Sequence, residues 1–307
     1  MRSSLTVKLV AAIGRRRGPI LTALVYSFAG KSFTREFYRG QGNLAEWRDY
    51  PKGLMSISFD VDYAGDAENL SGLVELLENL KLTASFAVVG RLVEIYPEQH
   101  RRIASAGHEI LNHTYSHPDN EELHPHERFD DLSPEARKKQ IEHCHQVCQE
   151  LLDVSPLGFR APHFGNVRGR DFYRVLAESG YLYSSSVISV DSPGFGLPFL
   201  TDSGIWELPV SCCPVHPFTV LDSWHALGKP QARHRKSGEF SRLVSESMSL
   251  VSRYGGYLNI YLDPRDVFKY TEVRQALEAV KSHPDPPAIV TYRKLLEILQ
   301  SKSRKES

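Results

Sequence analysis

Polar and apolar residues alternate through "LMSISFDVDYAG" (Leu54 to Gly65), where Met55, Ile57 and Phe59 interleave with Ser56 and Ser58. A period of two predicts a strand with one apolar face. The other face carries Asp60 and Asp62, which the rise of a strand places about 6–7 Å apart. Counting this one, strands are predicted at 54–60, 83–89, 108–112, 156–160, 182–187, 205–210 and 257–262. Apolar residues at helical spacing fill most gaps, at 69–80, 97–107, 133–152 and 240–256, and in the closing segments 271–282 and 291–301. The punctuation agrees: Pro97 opens and Gly107 closes one helix, Ser133 and Pro134 open another, and Gly255 and Gly256 stop a third. There is no internal repeat and no low-complexity tract.

Seven strands alternating with helices predict an α/β fold, either a barrel or a doubly wound sheet. Active groups in such folds collect at the C-terminal ends of the strands. Residues 1–50 lack this alternation and read as an N-terminal extension ahead of a main domain at 51–307.

Composition narrows the class. A hydrophobic share of 41% in 307 residues permits a well-packed core. Lys+Arg and Asp+Glu balance at 37 each, so bulk charge gives no reason to expect nucleic acid or an anionic membrane as partner. Cys144, Cys148, Cys212 and Cys213 form no CxxC pair. They read as buried or free thiols of a reducing compartment rather than a zinc site or disulfide, which favours the cytoplasm. The apolar run "GPILTALVYSFAG" follows "GRRRG". It is too short to span a bilayer, which takes about 20 residues. It shares features with a signal peptide, but its basic residues lie deep and no clear cleavage site follows. Packing against the main domain is the expectation here, with secretion or membrane association as alternatives.

The candidate chemistry lies at strand ends. At an effective dielectric of about 20, Asp60 and Asp62 repel by roughly 2–3 kcal/mol, so the pair asks for a compensating charge. His113 and His117 follow the third strand in "NHTYSHPDN", and Pro118 argues for a loop there. Two imidazoles beside carboxylates suit a divalent metal of the Zn, Co, Ni or Fe type. Arg160 ends the fourth strand in "GFRAPHFG". Asp60 is its obvious partner, a pairing that would orient the carboxylate and keep it ionised.

The ordered set FDxD, HxxxH, RAP and "WELPV" resembles the polysaccharide deacetylase family, also called the NodB homology domain or carbohydrate esterase family four. The resemblance runs from about Leu54 to about Val267. It implies a distorted barrel with fewer than eight strands and a catalytic domain at 51–307. The spaced aspartates are similar to the branch with certain peptidoglycan deacetylases and allantoinase-like proteins. The resemblance implies Asp62, His113 and His117 as ligands of a divalent metal, most simply zinc, with cobalt or nickel as alternatives. It also implies Asp60 as general base, Arg160 as its tether, and Trp206 and Leu208 as lining of the acetyl or substrate pocket. The family's last core strand usually ends in a His that protonates the leaving amine. Here "NIYLDPRDV" has Asp263 at that position. An aspartic acid serves only if its pKa is raised well above about 4. His163 and His216 are other sources of that proton, and Asp263 also suits a turn before Pro264.

The implied activity is removal of N-acetyl groups from a sugar or polysaccharide, by hydrolysis of C–N bonds other than peptide bonds. The alternatives are an allantoinase-like cyclic amide hydrolase and a catalytically impaired carbohydrate-binding relative. Aromatic residues near strand ends (Tyr63, Tyr115, Phe164, Trp206) fit a carbohydrate ligand.

Overall fold

The computed structural model describes residues 34–303 except 46, 48, 164–169 and 230–233. The apolar N-terminal run and Phe164 lie outside the described residues. At the centre is β1 (Leu54–Val61), buried along its whole length. It pairs in parallel with β10 (Tyr257–Leu262) on one side and β2 (Ser85–Val88) on the other. The sheet continues in parallel through β3 (Glu109–Asn112), β4 (Gly158–Phe159), β5 (Tyr183–Ser184) and β7 (Trp206–Glu207). At its edge β6 (Phe199–Leu200) pairs antiparallel with β7. β11 (Ala288–Ile289) adds to the start of β1, and β8 (Cys212–Cys213) forms a separate hairpin with β9 (His216–Val220).

The seven predicted strands are the seven parallel strands of the main path, β10-β1-β2-β3-β4-β5-β7. The sheet curls so far that its two ends meet. Beyond β7, Ser211 N donates to Asn259 O of β10 at 2.8 Å, and Asp222 bridges to Tyr261. The result is the distorted (β/α) barrel expected from the sequence. Strands β6, β8, β9 and β11 fall outside the predicted set, since runs of two to five residues carry too little periodicity.

The period of two on β1 separates two environments. Met55, Ile57 and Phe59 face outward, where they pack with Leu70, Leu73 and Leu77 of the helix Ala64–Leu80 and Leu243 and Met248 of the helix Glu239–Tyr254. Leu54 faces inward with Leu111, Tyr183, Leu208 and Tyr257, over Leu295 and Leu296 of the helix Tyr292–Ser303. That inner apolar layer closes the barrel's base. Above it, Ser56, Ser58 and Asp60 continue the inner face of β1, so the interior turns polar toward the strands' C-terminal ends.

The predicted helix ends hold. Ser133 Oγ accepts from Ala136 N at 3.2 Å, and Gly255 ends its helix with φ of 74°. The segment before β1 packs onto the same body. Residues 34–44 are helical, Tyr38 and Trp47 are buried, and Gln41 Oε1 accepts from Tyr257 N at 3.0 Å.

Candidate active site

The C-terminal ends of β1, β3, β4 and β10 open into one cleft of about 410 Å³. Its lining includes Asp60, Asp62, His113, His117 and Asp263. Arg160 follows β4 and lies fully buried beneath. Its five N–H groups meet five acceptors. Nε donates to Ser185 O (3.0 Å), Nη1 to Ser58 Oγ (2.9 Å) and Asp60 Oδ1 (2.6 Å), and Nη2 to Ser185 Oγ (3.0 Å) and the Tyr292 hydroxyl. The Tyr292 hydroxyl donates to Asn259 Oδ1 at 2.7 Å. Asn259 Nδ2 in turn donates to the carbonyls of Leu208 and Pro209, each at 3.1 Å. A buried guanidinium is tolerated because every donor is met and Asp60 supplies the opposite charge.

Asp60 thus rests one oxygen on Arg160 and turns the other to the cleft, 4.0 Å from His113 Nε2. Burial pushes its pKa up, and Arg160 and His113 pull back without restoring the ordinary value. Next along the same face, Asp62 Oδ1 lies 3.2 Å from His113 Nε2 and 3.5 Å from His117 Nε2. Two ligands about 2.0–2.2 Å from one tetrahedral zinc stand roughly 3.3–3.5 Å apart, so the spacing fits. The hydrogen bonding fits as well. His113 Nδ1 donates to Arg160 O at 2.7 Å, which leaves the Nε2 lone pair facing inward. Asp62 Oδ1 is buried and faces both imidazole Nε2 atoms, so the three ligand atoms converge on one point that suits a cation. Burial raises Asp62, but His117 and His113 outweigh it and hold the carboxyl below its usual range. Burial drives His117 down to about 3, so it stays neutral and able to ligate.

The loop that carries both histidines is held in place by its own polar side chains. Thr114 N donates to Asn112 Oδ1 (2.8 Å), His117 N to Thr114 Oγ1 (3.0 Å), and Asn120 Nδ2 to Asp62 O (2.8 Å). Thr114, β-branched, has φ of 70° and His117 has φ of 48°. Such strain persists where surrounding bonds over-determine it, as they do here. Asp66 performs the same service for β1. Its carboxylate accepts from Tyr63 N (3.1 Å), Asp62 N (3.3 Å), Arg265 N (3.1 Å) and Arg265 Nη1 (2.9 Å). Burial pushes Asp66 up to about 7 against the pull of Arg265, but all four partners are donors, so the carboxylate form is the one that is held.

Trp206 and Leu208 require a correction, because neither lines the cleft. Leu208 is fully buried in the apolar layer at the barrel's base, and Trp206 packs against that layer. The period of two gives the correct face of β7 but not the height along the barrel. Leu208 reaches the site only through its carbonyl, which fixes Asn259. The apolar wall is formed instead by Ile188, Val220, Trp224 and Tyr261. Of the other aromatics, Tyr63 lines the cleft with Arg265 stacked 4.4 Å above its ring. Tyr115 stacks on His143 away from it.

Asp263 lies in the cleft wall, 3.3 Å from Arg265 Nη2. Burial, then the charge of Asp66, pushes its carboxyl well above the ordinary range. His163 lines the cleft beside His117, while His216 lies outside it. Sequence reasoning missed His225, also in the wall, whose Nδ1 sits 2.7 Å from Oδ2 of fully buried Asp222. The D-x-x-H spacing of Asp222 and His225 was the available signal. Asp66, Asn120, Asn259 and Tyr292 carried no signal of their own.

This barrel, with its charged groups gathered at the strands' C-terminal ends, defines a polysaccharide deacetylase fold. Residues 48–183 match the polysaccharide deacetylase family model, and the motif order of the chain is similar to that family's. The chain is 26% identical over 157 residues to the peptidoglycan-N-acetylglucosamine deacetylase of Bacillus cereus. The match covers 50% of this chain and 52% of that relative, so the chain spans about half its length. A solved structure from Mycobacterium smegmatis, assigned as a polysaccharide deacetylase, superposes with a TM-score of 0.67 at 21% identity, over 84% of this chain and 94% of that one. An allantoinase superposes with a TM-score of 0.65 at 13% identity, over 82% and 93%. At these identities the structural likeness is one of fold. Among the described residues, no helix is long and apolar enough to cross a membrane.

Proposed function

We propose that this chain is a metal-dependent hydrolase that removes N-acetyl groups from a sugar or polysaccharide. The observation that carries this reading is the placement of Asp60, one oxygen on Arg160 and the other facing the Asp62–His113–His117 group. The Bacillus cereus relative supports the substrate class.

Asp62 Oδ1, His113 Nε2 and His117 Nε2 would hold zinc, or cobalt or nickel in its place. A bound ion would acidify a water and polarise the acetyl carbonyl. Asp60 Oδ2 takes the proton of the attacking water, and its raised basicity suits that task. Arg160 fixes the angle of the carboxylate, so the base needs no reorganisation. Cleavage of the C–N bond leaves acetate and an amine that needs a proton. Three groups on the wall can deliver it: Asp263, whose raised pKa lets it carry a proton, His225, held by Asp222, and His163 beside His117.

The test is acetate release from N-acetylhexosamine oligomers, with allantoin as the competing substrate, after chelation and after zinc return. Zinc-dependent acetate release supports the reading, and turnover of allantoin alone replaces it with cyclic amide hydrolysis. Asp263 favours one other reading, a carbohydrate-binding relative without turnover. Sugar binding with no acetate release under added zinc, cobalt or nickel identifies that case.

A further inference from the structure

Behind the cleft wall lies a second group of ligand-type side chains. The hairpin β8–β9 carries Cys213 and His216 on either side of its turn, a C-x-x-H spacing in "CCPVH". His234, which precedes the helix Glu239–Tyr254, reaches the same point. Cys213 Sγ lies 3.4 Å from His234 Nε2 and 3.8 Å from His216 Nδ1. A sulfur about 2.3 Å and a nitrogen about 2.0–2.1 Å from one tetrahedral zinc stand roughly 3.6 Å apart, and the two observed distances straddle that value. The two imidazole rings face each other at 5.9 Å with an interplanar angle of 24°. Cys213 and His234 are buried, so the sulfur sits among nitrogens in a dry pocket rather than at the surface.

We propose that Cys213, His216 and His234 form a second metal site, of the thiolate–imidazole type that suits zinc, separate from the Asp62 site. Asp222 and His225 line the same small cavity. Binding a metal there would release the thiol proton to solvent. The ion would tie the hairpin to His234 and close the loop between them. That loop carries Asp222, Trp224, His225 and Lys229, four residues with a place at the cleft wall or just behind it. The site is a structural staple for that wall. The claim does not depend on the proposed deacetylation, because none of the three ligands lines the cleft.

The test loads the metal-free 307-residue chain with cobalt(II) alone. A thiolate ligand gives a near-ultraviolet sulfur-to-cobalt charge-transfer band, which an Asp–His–His site cannot produce. The folded wild-type chain is expected to show this band. Asp62→Ala should keep the band while binding one metal equivalent fewer. Cys212→Ser should keep it as well, Cys213→Ser should abolish it, and His234→Gln should weaken it. Absence of the band in wild type overturns the proposal even if the variants fail to fold. A band that survives Cys213→Ser, or disappears with Asp62→Ala, also overturns it.

Discussion

Arg160 holds Asp60 from below, Nη1 to Oδ1 at 2.6 Å, with both side chains buried. The two come from strands far apart in sequence, yet the curl of the sheet stacks one over the other. The contact joins stability to chemistry, because the guanidinium that neutralises the carboxylate also aims its second oxygen at the cleft.

Arg160→Met leaves Asp60 buried without its counter-charge. Removing one partner of a buried pair costs about 3–5 kcal/mol, and urea denaturation should show that loss. Arg160→Lys keeps a charge but cannot meet five acceptors in a plane. We expect its kcat/KM for acetate release to fall by about 10²-fold through misplacement of Asp60, with metal content unchanged. Wild-type kcat/KM in Arg160→Lys would mean that Asp60 needs no tether.

Asp66 touches no substrate, but it fixes the backbone of Asp62 and Tyr63. Outer partners of metal ligands typically contribute 10–100-fold in affinity. Asp66→Asn should weaken zinc binding at the Asp62 site within about that range, measured by competition with a chelating dye. Unchanged affinity would show that the β1 end holds its shape without Asp66.

Asp263 and His225 separate as proton donors by substitution. If Asp263 protonates the amine, Asp263→Asn lowers kcat sharply while His225→Gln leaves kcat near wild type. If His225 does so, the order reverses. A substrate whose leaving group is already activated should recover turnover in whichever variant lost it. Wild-type kcat in the double variant Asp263→Asn/His225→Gln would exclude both groups.

His100 offers a stability test away from the site. It is fully buried, with Nδ1 2.7 Å from Tyr96 O, and burial lowers its pKa from 6.5 to about 4. Its folded value lies below its unfolded value, so the unfolded chain binds more protons between the two. Stability is therefore full above about pH 6.5 and falls as the pH drops toward 4, by up to about 3 kcal/mol. His100→Gln cannot take up that proton. The drop in urea midpoint between about pH 7 and pH 5 should be smaller in the variant than in wild type, and an equal drop would place the acid sensitivity elsewhere.

The sequence made the main strands and the charged site legible for one reason, that both leave local patterns. Met55, Ile57 and Phe59 alternate with Ser56 and Ser58 within a few residues, and Asp60 and Asp62 extend that alternation. His113 and His117 announced themselves by residue type. The support around them did not. Tyr292 meets Arg160 across 132 residues of chain, and Asn259 and Ser185 are ordinary residues until the barrel closes around them. Trp206 and Leu208 failed in another way. Their strand was read correctly, but a period of two fixes the face and leaves height in the barrel open, and Leu208 sits in the base. His225 left only the short D-x-x-H spacing with Asp222, and what brings that pair to the cleft is the non-local bridge of Asp222 to Tyr261 of β10.

The most direct measurement is acetate release by Asp60→Asn, with zinc content determined on the same sample. The substitution keeps the shape of the side chain and removes its capacity to accept a proton. The expected result is zinc bound at the wild-type level and acetate release reduced at least about 10²-fold, the lower range for loss of a general base. Acetate release at the wild-type rate with zinc retained would contradict the role assigned to Asp60.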